Sequence, residues 1–115
     1  MGIAAGIDLV EVEEVRAALA AHGERYLERV FTPRERATCG QSAPRLAGAL
    51  AAKEATFKAL AVPADAQAVW TEVEIQASCA QLRGALQRAH PDAEVTVSTS
   101  VGARQALAVA IVEGR

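Results

Sequence analysis

A long run of alanine and leucine, residues 46–60, contains three charged side chains: Lys53, Glu54 and Lys58. The run is long enough for one helix, and at about 100° per residue its large apolar side chains share one face. These side chains are Leu46, Leu50, Phe57 and Leu60. Lys53 falls within this stripe, whereas Glu54 and Lys58 lie one turn apart on its shoulder. The sequence therefore predicts a central helix packed on a core, with a carboxylate and an ammonium group at its edge.

Two explanations of Glu54 and Lys58 are open. Residues four apart on a helix can form an ion pair on a solvated face, which adds a few tenths of a kcal/mol. A functional site is the other explanation, and the segment 6–10 favours it because Asp8 lies within this apolar stretch. An unpaired carboxylate in such surroundings costs several kcal/mol. We therefore expect Asp8 to cap a helix, to be paired or to hold a metal ion.

Composition limits the classes of protein to which the chain can belong. At 115 residues we expect one domain, residues 1–115. Aromatic residues make up only 3%, so the core must be built from small side chains, and oligomerisation is expected to add stability. A net charge of −2 without a basic patch argues against a nucleic-acid partner.

Neither a signal peptide nor a run of roughly 20 apolar residues that could span a membrane is recognisable. Cys39 and Cys79 form no CxxC motif and, with only His22 and His90, no zinc-binding set. We therefore expect a cytoplasmic protein with two reduced thiols and no membrane partner.

Periodicity and capping signals predict a mixture of helices and strands. A buried strand is expected over 3–10 and a helix over 11–21, for which Asp8 could be the N-cap. Thr32, Pro33 and Glu35 predict a further helix start with a capping box. The other expectations are a short helix at 24–30, a central helix to about 61, a loop at 64–68, strands at 69–75, 94–98 and 105–112, a turn at 98–102, and either a strand or a helix at 81–90.

Three motifs occur in a characteristic order: Gly-Ile-Asp-Leu-Val at 6–10, Ala-Ala-Lys-Glu-Ala-x-x-Lys-Ala at 51–59, and Trp-Thr-Glu-Val-Glu-Ile at 70–75. The Phe-Thr-Pro-Arg-Glu segment at 31–35 and the closing strands fit the same pattern. In these features the chain resembles the holo-acyl-carrier-protein synthases, the short class of the 4′-phosphopantetheinyl transferase superfamily. The resemblance spans essentially the whole sequence.

The resemblance implies an α+β fold in which an antiparallel sheet packs against a long central helix, and a homotrimer with sites between subunits. It implies transfer of the 4′-phosphopantetheine group from coenzyme A to a serine of an acyl carrier protein, with release of adenosine 3′,5′-bisphosphate. A Mg²⁺ ion held by one or two carboxylates, phosphate oxygens and waters is suited to neutralising a diphosphate under attack.

The resemblance also implies roles for particular residues. Asp8 and Glu54 would hold the Mg²⁺ ion, and Glu54 would take the serine proton. Lys58 would stabilise charge on the leaving phosphate. Lys53 would either contact a phosphate of coenzyme A or lay its stem along the core.

The closing motif of the family falls on residues 98–101, where Ser98 and Ser100 would contact coenzyme A. The family usually has a histidine at the position of Val101 and often an arginine at that of Ala49. The first helix begins with three glutamates, where relatives are basic, and the usual Gly-x-Pro hairpin is absent. An alternative is therefore a catalytically silent relative, or one of altered chemistry, that serves as a binding or assembly module in a fatty-acid or polyketide system.

Overall fold

The computed structural model describes residues 2–63 and 69–114, so the loop expected at 64–68 lies outside the described residues. The helices are α1 (Val12–His22), α2 (Glu24–Val30), α3 (Pro33–Cys39), α4 (Ala43–Ala59) and α5 (Gly84–Ala89), with a 3-10 turn at Trp70–Glu72. The strands are β1 (Ile3–Glu11), β2 (Val73–Gln76), β3 (Cys79–Leu82), β4 (Glu94–Val101) and β5 (Gln105–Glu113). The expected α+β class is confirmed.

The strands form one antiparallel sheet in the order β1-β5-β4-β3-β2. The first and last strands pair along their whole length, from Ile3 opposite Glu113 to Glu11 opposite Gln105. On its other side β5 pairs with β4 over a similar length, so it is fully hydrogen-bonded within the sheet. An edge strand, β1, therefore carries the first sequence motif.

Helix α4 covers one face of the sheet and forms the core with it. Small side chains on both sides allow close packing: Ala51, Ala52 and Ala55 of the helix and Ala106, Ala108 and Ala110 of β5 are fully buried. The closest approach is at Gly6, where an added Cβ would lie 2.1 Å from the backbone oxygen of Ala55. Only glycine fits here, so the first motif brings the backbone of β1 against α4.

The capping signals in the sequence are confirmed. Thr32 Oγ1 accepts a hydrogen bond from the Glu35 amide at 3.2 Å, and Glu35 Oε1 accepts one from the Thr32 amide at 2.9 Å. Ser42 caps α4 through the amide of Arg45 at 3.3 Å. These bonds satisfy amides that a helix leaves free at its start.

Several expectations about individual elements were wrong. Asp8 is not the N-cap of α1: it lies inside β1, and Glu11 occupies the cap position, where its side chain accepts no hydrogen bond from the helix amides. The strand expected from 69 begins only at Val73, because the 3-10 turn precedes it. The turn expected at 98–102 is part of β4, whose pairing with β5 continues to Val101. Of the two alternatives for residues 81–90, the helix is present as α5, and the segment also includes the end of β3, whose start at Cys79 was not predicted.

The face of the sheet that points away from α4 is apolar and exposed. Alternation along the strands places on it Ile3, Ile7 and Leu9 of β1 and Leu107 of β5, with exposed fractions between 42% and 72%. We call these four residues the outer sheet face. A contiguous apolar surface of this kind is typical of an interaction site.

No helix within 2–63 or 69–114 has the length and apolar character that crossing a bilayer requires.

Candidate functional site

Asp8 lies where β1 meets α4. It is two residues beyond Gly6 on the same face of the strand, and its side chain is only 11% exposed. Its Oδ1 atom accepts a hydrogen bond from Lys58 Nζ at 2.5 Å, and the same ammonium donates to the Ile7 carbonyl at 3.2 Å. The Oδ2 atom is buried and accepts no hydrogen bond from any residue that the structure describes. Only a ligand or a protonated acid beside it could satisfy this oxygen.

Glu54 of α4 converges on the same point. Burial raises its pKa to about 8, and a hydrogen bond with Asp8 and the charge of Asp8 contribute to the rise. Burial pushes the pKa of Asp8 upward as well, but hydrogen bonds from Glu54 and Lys58 outweigh burial and leave it lowered. The fold holds these two carboxyl groups close together, and they share one proton because two negative charges at this distance would repel each other. Near neutral pH Glu54 holds the proton and Asp8 carries the negative charge.

Lys58 does not make the ion pair on a solvated face that was one of its two explanations. Its ammonium is paired with Asp8, and hydrogen bonding to that carboxylate raises the pKa of Lys58. Its side chain remains 58% exposed. Lys58 therefore belongs to the acid pair while its stem stays in solvent.

Two residues of this site were missed in the sequence. Tyr26 of α2 is half-buried with its ring edge on Phe31, at a centroid distance of 5.8 Å. Burial and then the charge of Glu54 raise its pKa, so Tyr26 lies near enough to feel that carboxyl group. Glu14 of α1 is the second, since its charge helps to raise the pKa of Glu54. The only available signal was that Tyr26 is the single tyrosine of the chain.

Lys53 is turned into the core and away from the acid pair. It is fully buried, with Nζ 2.7 Å from Glu35 Oε1, and it donates to the carbonyls of Trp70 at 3.0 Å and Val73 at 2.8 Å. An ammonium has three donors, and these partners use all of them. Of the two alternatives for Lys53, its position matches a stem along the core, and no donor is left for a phosphate of coenzyme A.

The structure does not bring Ser98 and Ser100 to the acid pair within one chain. Both are exposed on β4, where they lie opposite Val109 and Leu107 of β5. Val97, the residue before Ser98, is buried against the core. Ser98 and Ser100 follow it by one and three residues, so both point to the other side of the sheet, the side of the outer sheet face. A ligand that contacts both an acid pair and these serines would have to take the serines from a second copy of the chain.

Ala49 and Val101, the two positions that depart from the family pattern, line one cavity. Its volume is about 250 Å³, and Arg45, Gly48 and Thr99 also line it. A Cβ at Gly48 would lie 2.7 Å from Val101 Cγ2, so a larger residue here would force Val101 to shift. The structure thus places both substitutions together, where they make an apolar wall beside Arg45.

A divalent cation fits the acid pair. Carboxylate oxygens are the ligands that Mg²⁺ prefers, and the unpartnered Oδ2 of Asp8 is such a ligand. Among the described residues, no group of three or more His, Cys, Asp and Glu side chains could hold a metal ion. Protein sites for Mg²⁺ often supply only one or two carboxylates and leave the other positions to water and phosphate oxygens. Asp8 and Glu54 would hold the ion in that manner.

Three features define the class of this protein. They are a five-stranded antiparallel sheet, a single helix that covers it, and a carboxyl pair between the edge strand and that helix. The family model described as the 4′-phosphopantetheinyl transferase superfamily matches residues 4–112, and the chain belongs to that family.

Relatives and solved structures agree with this assignment. The chain is 47% identical over 58 residues to a holo-[acyl-carrier-protein] synthase of Dehalococcoides mccartyi, which covers 50% of this chain and 49% of the relative. It is 37% identical over 73 residues to that of Chlamydia pneumoniae, covering 61% and 60%. The chain thus spans about half to two thirds of the length of these curated relatives.

The structural matches extend over nearly whole chains. The acyl carrier protein synthase of Mycobacterium tuberculosis superimposes with a TM-score of 0.80 at 30% identity, covering 99% of this chain and 100% of that chain. The Helicobacter pylori holo-[acyl-carrier-protein] synthase, solved in complex with coenzyme A, gives 0.85 at 26% identity, with coverages of 95% and 99%. The resemblance inferred from the motifs is confirmed.

Proposed function

We propose that this chain transfers the 4′-phosphopantetheine group from coenzyme A to a serine of an acyl carrier protein, in a Mg²⁺-dependent reaction that releases adenosine 3′,5′-bisphosphate. The observation that carries the proposal is the convergence of Asp8 and Glu54, two carboxyl groups that lie side by side where access of solvent is limited. The names of the relatives and the coenzyme A complex of a similar structure support the choice of substrates.

In this proposal the position of each residue gives it one role in the reaction. Asp8 and Glu54 would bind Mg²⁺, which when bound supplies positive charge to the diphosphate under attack. Glu54 would accept the serine proton, directly or through a water, as the serine oxygen forms its bond to phosphorus. The bond from that phosphorus to the oxygen bridging it to the second phosphate breaks, and the electron pair leaves with adenosine 3′,5′-bisphosphate. Lys58 would stabilise charge on this leaving group.

Glu54 must be ionised to act as a base, whereas in the metal-free protein burial and Asp8 raise its pKa to about 8 and keep it protonated near neutral pH. A bound divalent cation favours the ionised form and would release the proton that Glu54 holds in the metal-free protein.

A homotrimer is part of the proposal. The outer sheet face exposes Ile3, Ile7, Leu9 and Leu107, and packing it against other copies would remove this apolar surface from water. Ser98 and Ser100 lie on the same side of the sheet, so in an assembly a neighbouring subunit could bring them into a shared coenzyme A site. We place the protein in the cytoplasm, in keeping with the free thiols of Cys39 and Cys79.

A second candidate is a catalytically silent or altered-chemistry relative that acts as a binding or assembly module in a fatty-acid or polyketide system. The cavity lined by Ala49 and Val101 favours it, because these two side chains offer no charge to a phosphate of coenzyme A.

Intact-mass spectrometry of an apo acyl carrier protein, incubated with the chain, coenzyme A and Mg²⁺, separates the two candidates. A mass increase of one phosphopantetheine group supports the transferase, and no increase supports the silent module. Calorimetric titration with Mg²⁺ and coenzyme A then reports binding without turnover. Coenzyme A binding without modification of the carrier would indicate altered chemistry.

Variants assign the site residues. Asp8→Ala should abolish metal-dependent binding and keep the fold, because Asp8 caps no helix; the exposed Asp92→Ala is its control. Glu54→Gln should lower turnover by about 10²- to 10⁴-fold, the usual contribution of a general base, whereas Glu28→Gln on the surface of α2 should not. Unchanged turnover in Glu54→Gln would remove this residue from the site.

A further inference from the structure

Lys58 already pairs with Asp8, the carboxylate that would bind a metal ion. Its ammonium lies 2.5 Å from Asp8 Oδ1 and 3.2 Å from the Ile7 carbonyl oxygen. These contacts fix a positive charge against the carboxylate whose other oxygen is buried and without a hydrogen bond in the described part of the chain. The carboxylate thus bonds an internal cation through one oxygen, and it also shares a proton with Glu54.

A divalent cation bound at the acid pair would repel this ammonium. Both are positive, and an ion bound through Oδ2 and Glu54 would lie within a few ångströms of Nζ, where like charges repel strongly in a half-buried site. The lysine can move, because its side chain is 58% exposed and its four-carbon stem can swing into solvent. Asp8, 11% exposed and held on β1, has no comparable freedom.

We propose that Lys58 is an internal counter-ion that holds Asp8 in the metal-free protein and is displaced when a divalent cation binds, which frees its ammonium for a substrate phosphate. This inference rests on the metal site proposed above. Binding of the metal ion and release of Lys58 are then one event. The Lys58 ammonium becomes available to a substrate phosphate only after the metal ion has bound. Part of the affinity for the metal is spent on this displacement.

The chain has only two lysines, which allows a direct test. Lysine labelled with ¹³C at Cε and ¹⁵N at Nζ gives one resonance set for Lys58 and one for Lys53, and Lys53 is an internal control because it is buried on Glu35. Titration of the full chain with Mg²⁺ alone should shift the Lys58 signals until the site is saturated and leave those of Lys53 in place. Calorimetry on the same sample measures binding of the ion.

Variants of Lys58 with and without its positive charge give a second readout. Lys58→Met keeps the length of the side chain and should bind Mn²⁺ at least about tenfold more tightly than the unmodified chain, as measured by loss of the free Mn²⁺ signal in electron paramagnetic resonance. Lys58→Arg keeps the charge and should stay within about threefold. Arg88→Met, on the exposed side of α5, removes one positive charge far from Asp8 and should leave the affinity unchanged.

The outcomes distinguish this inference from the function on which it rests. Metal binding with stationary Lys58 signals, or equal or weaker Mn²⁺ affinity in Lys58→Met with a native circular-dichroism spectrum, overturns the counter-ion and leaves the metal site standing. If the unmodified chain and Lys58→Met both bind no divalent ion, the metal site and the counter-ion fail together. If only Lys58→Met binds, the counter-ion is supported.

Discussion

Replacement of Glu54 by glutamine should remove a pH dependence from the stability of the metal-free protein. Burial and the neighbouring Asp8 raise the pKa of Glu54 from its ordinary 4.5 to about 8. Between these two values the folded chain binds more protons than the unfolded chain, so the free energy of unfolding falls as the pH rises. Asp8, whose pKa is lowered, acts in the opposite sense but only below pH 3.8, outside this window. Glu54→Gln cannot titrate and should be flat across it.

The expected size of this effect follows from the shift and from the exposure of the side chain. A shift from 4.5 to about 8, at about 1.4 kcal/mol per pH unit, sets an upper bound of about 5 kcal/mol. Glu54 is only half-buried, and solvent screens its interactions. We therefore expect the free energy of unfolding to fall by about 1 to 2 kcal/mol between pH 5 and pH 8 in the unmodified chain.

Urea unfolding at pH 5, 6, 7 and 8 with a chelator present, at one protein concentration, measures this change. The single tryptophan, Trp70, is a suitable fluorescent reporter because its ring packs edge-on against Phe57 at a centroid distance of 5.4 Å. Glu28→Gln should keep the slope of the unmodified chain. A stability that is constant or rises across this range in the unmodified chain, or an unchanged slope in Glu54→Gln, would refute the shared proton.

Three further changes test the packing, the core and the assembly. Gly6→Ala should lower the free energy of unfolding by at least about 3 kcal/mol, since its Cβ would meet helix backbone at 2.1 Å, whereas Gly2→Ala, with open space around it, should change it by less than about 0.5; equal urea midpoints would contradict this. Lys53→Met should cost about 3 to 5 kcal/mol in the same assay because it leaves Glu35 buried without its cation, and a loss below about 1 kcal/mol would show that the pair is dispensable. If the proposed homotrimer forms through the outer sheet face, Ile7→Asp on that face should reduce the mass measured by light scattering to that of a monomer, and a mass equal to that of the unmodified trimer would exclude this face as the interface.

Local features of the chain were predictable because neighbouring residues produce them. The capping box of Thr32 and Glu35 uses side chains and amides three residues apart, and the structure contains it as expected. The central helix was predicted for the same reason, from the spacing of its apolar side chains, and Lys53 was correctly placed within its apolar stripe. The α+β class followed from the succession of such elements.

The boundaries that were wrong depend on partners in the sheet. Residues 98–101 contain two serines and a threonine, which favour a turn, yet they continue β4 because β5 supplies a complete ladder of partners. The segment 79–82 has a weak pattern of its own and becomes β3 through pairing with β2 and β4. Pairing with a strand distant in sequence overrides local preference in both places.

The sequence by itself determined that Asp8, Glu54 and Lys58 are unusual, because each is a charge in or beside an apolar segment, and its motifs indicated the family. Only the tertiary structure decided which groups these three side chains contact. Lys58 pairs with a carboxylate 50 residues away, and the pKa of Glu54 is high because the fold places Asp8 against it. Lys53, beside Glu54 in the chain, is taken into the core by Glu35 instead. The strength of an interaction between charges depends on the distance between them and on their burial. Both are set only when the backbone of β1 packs against α4.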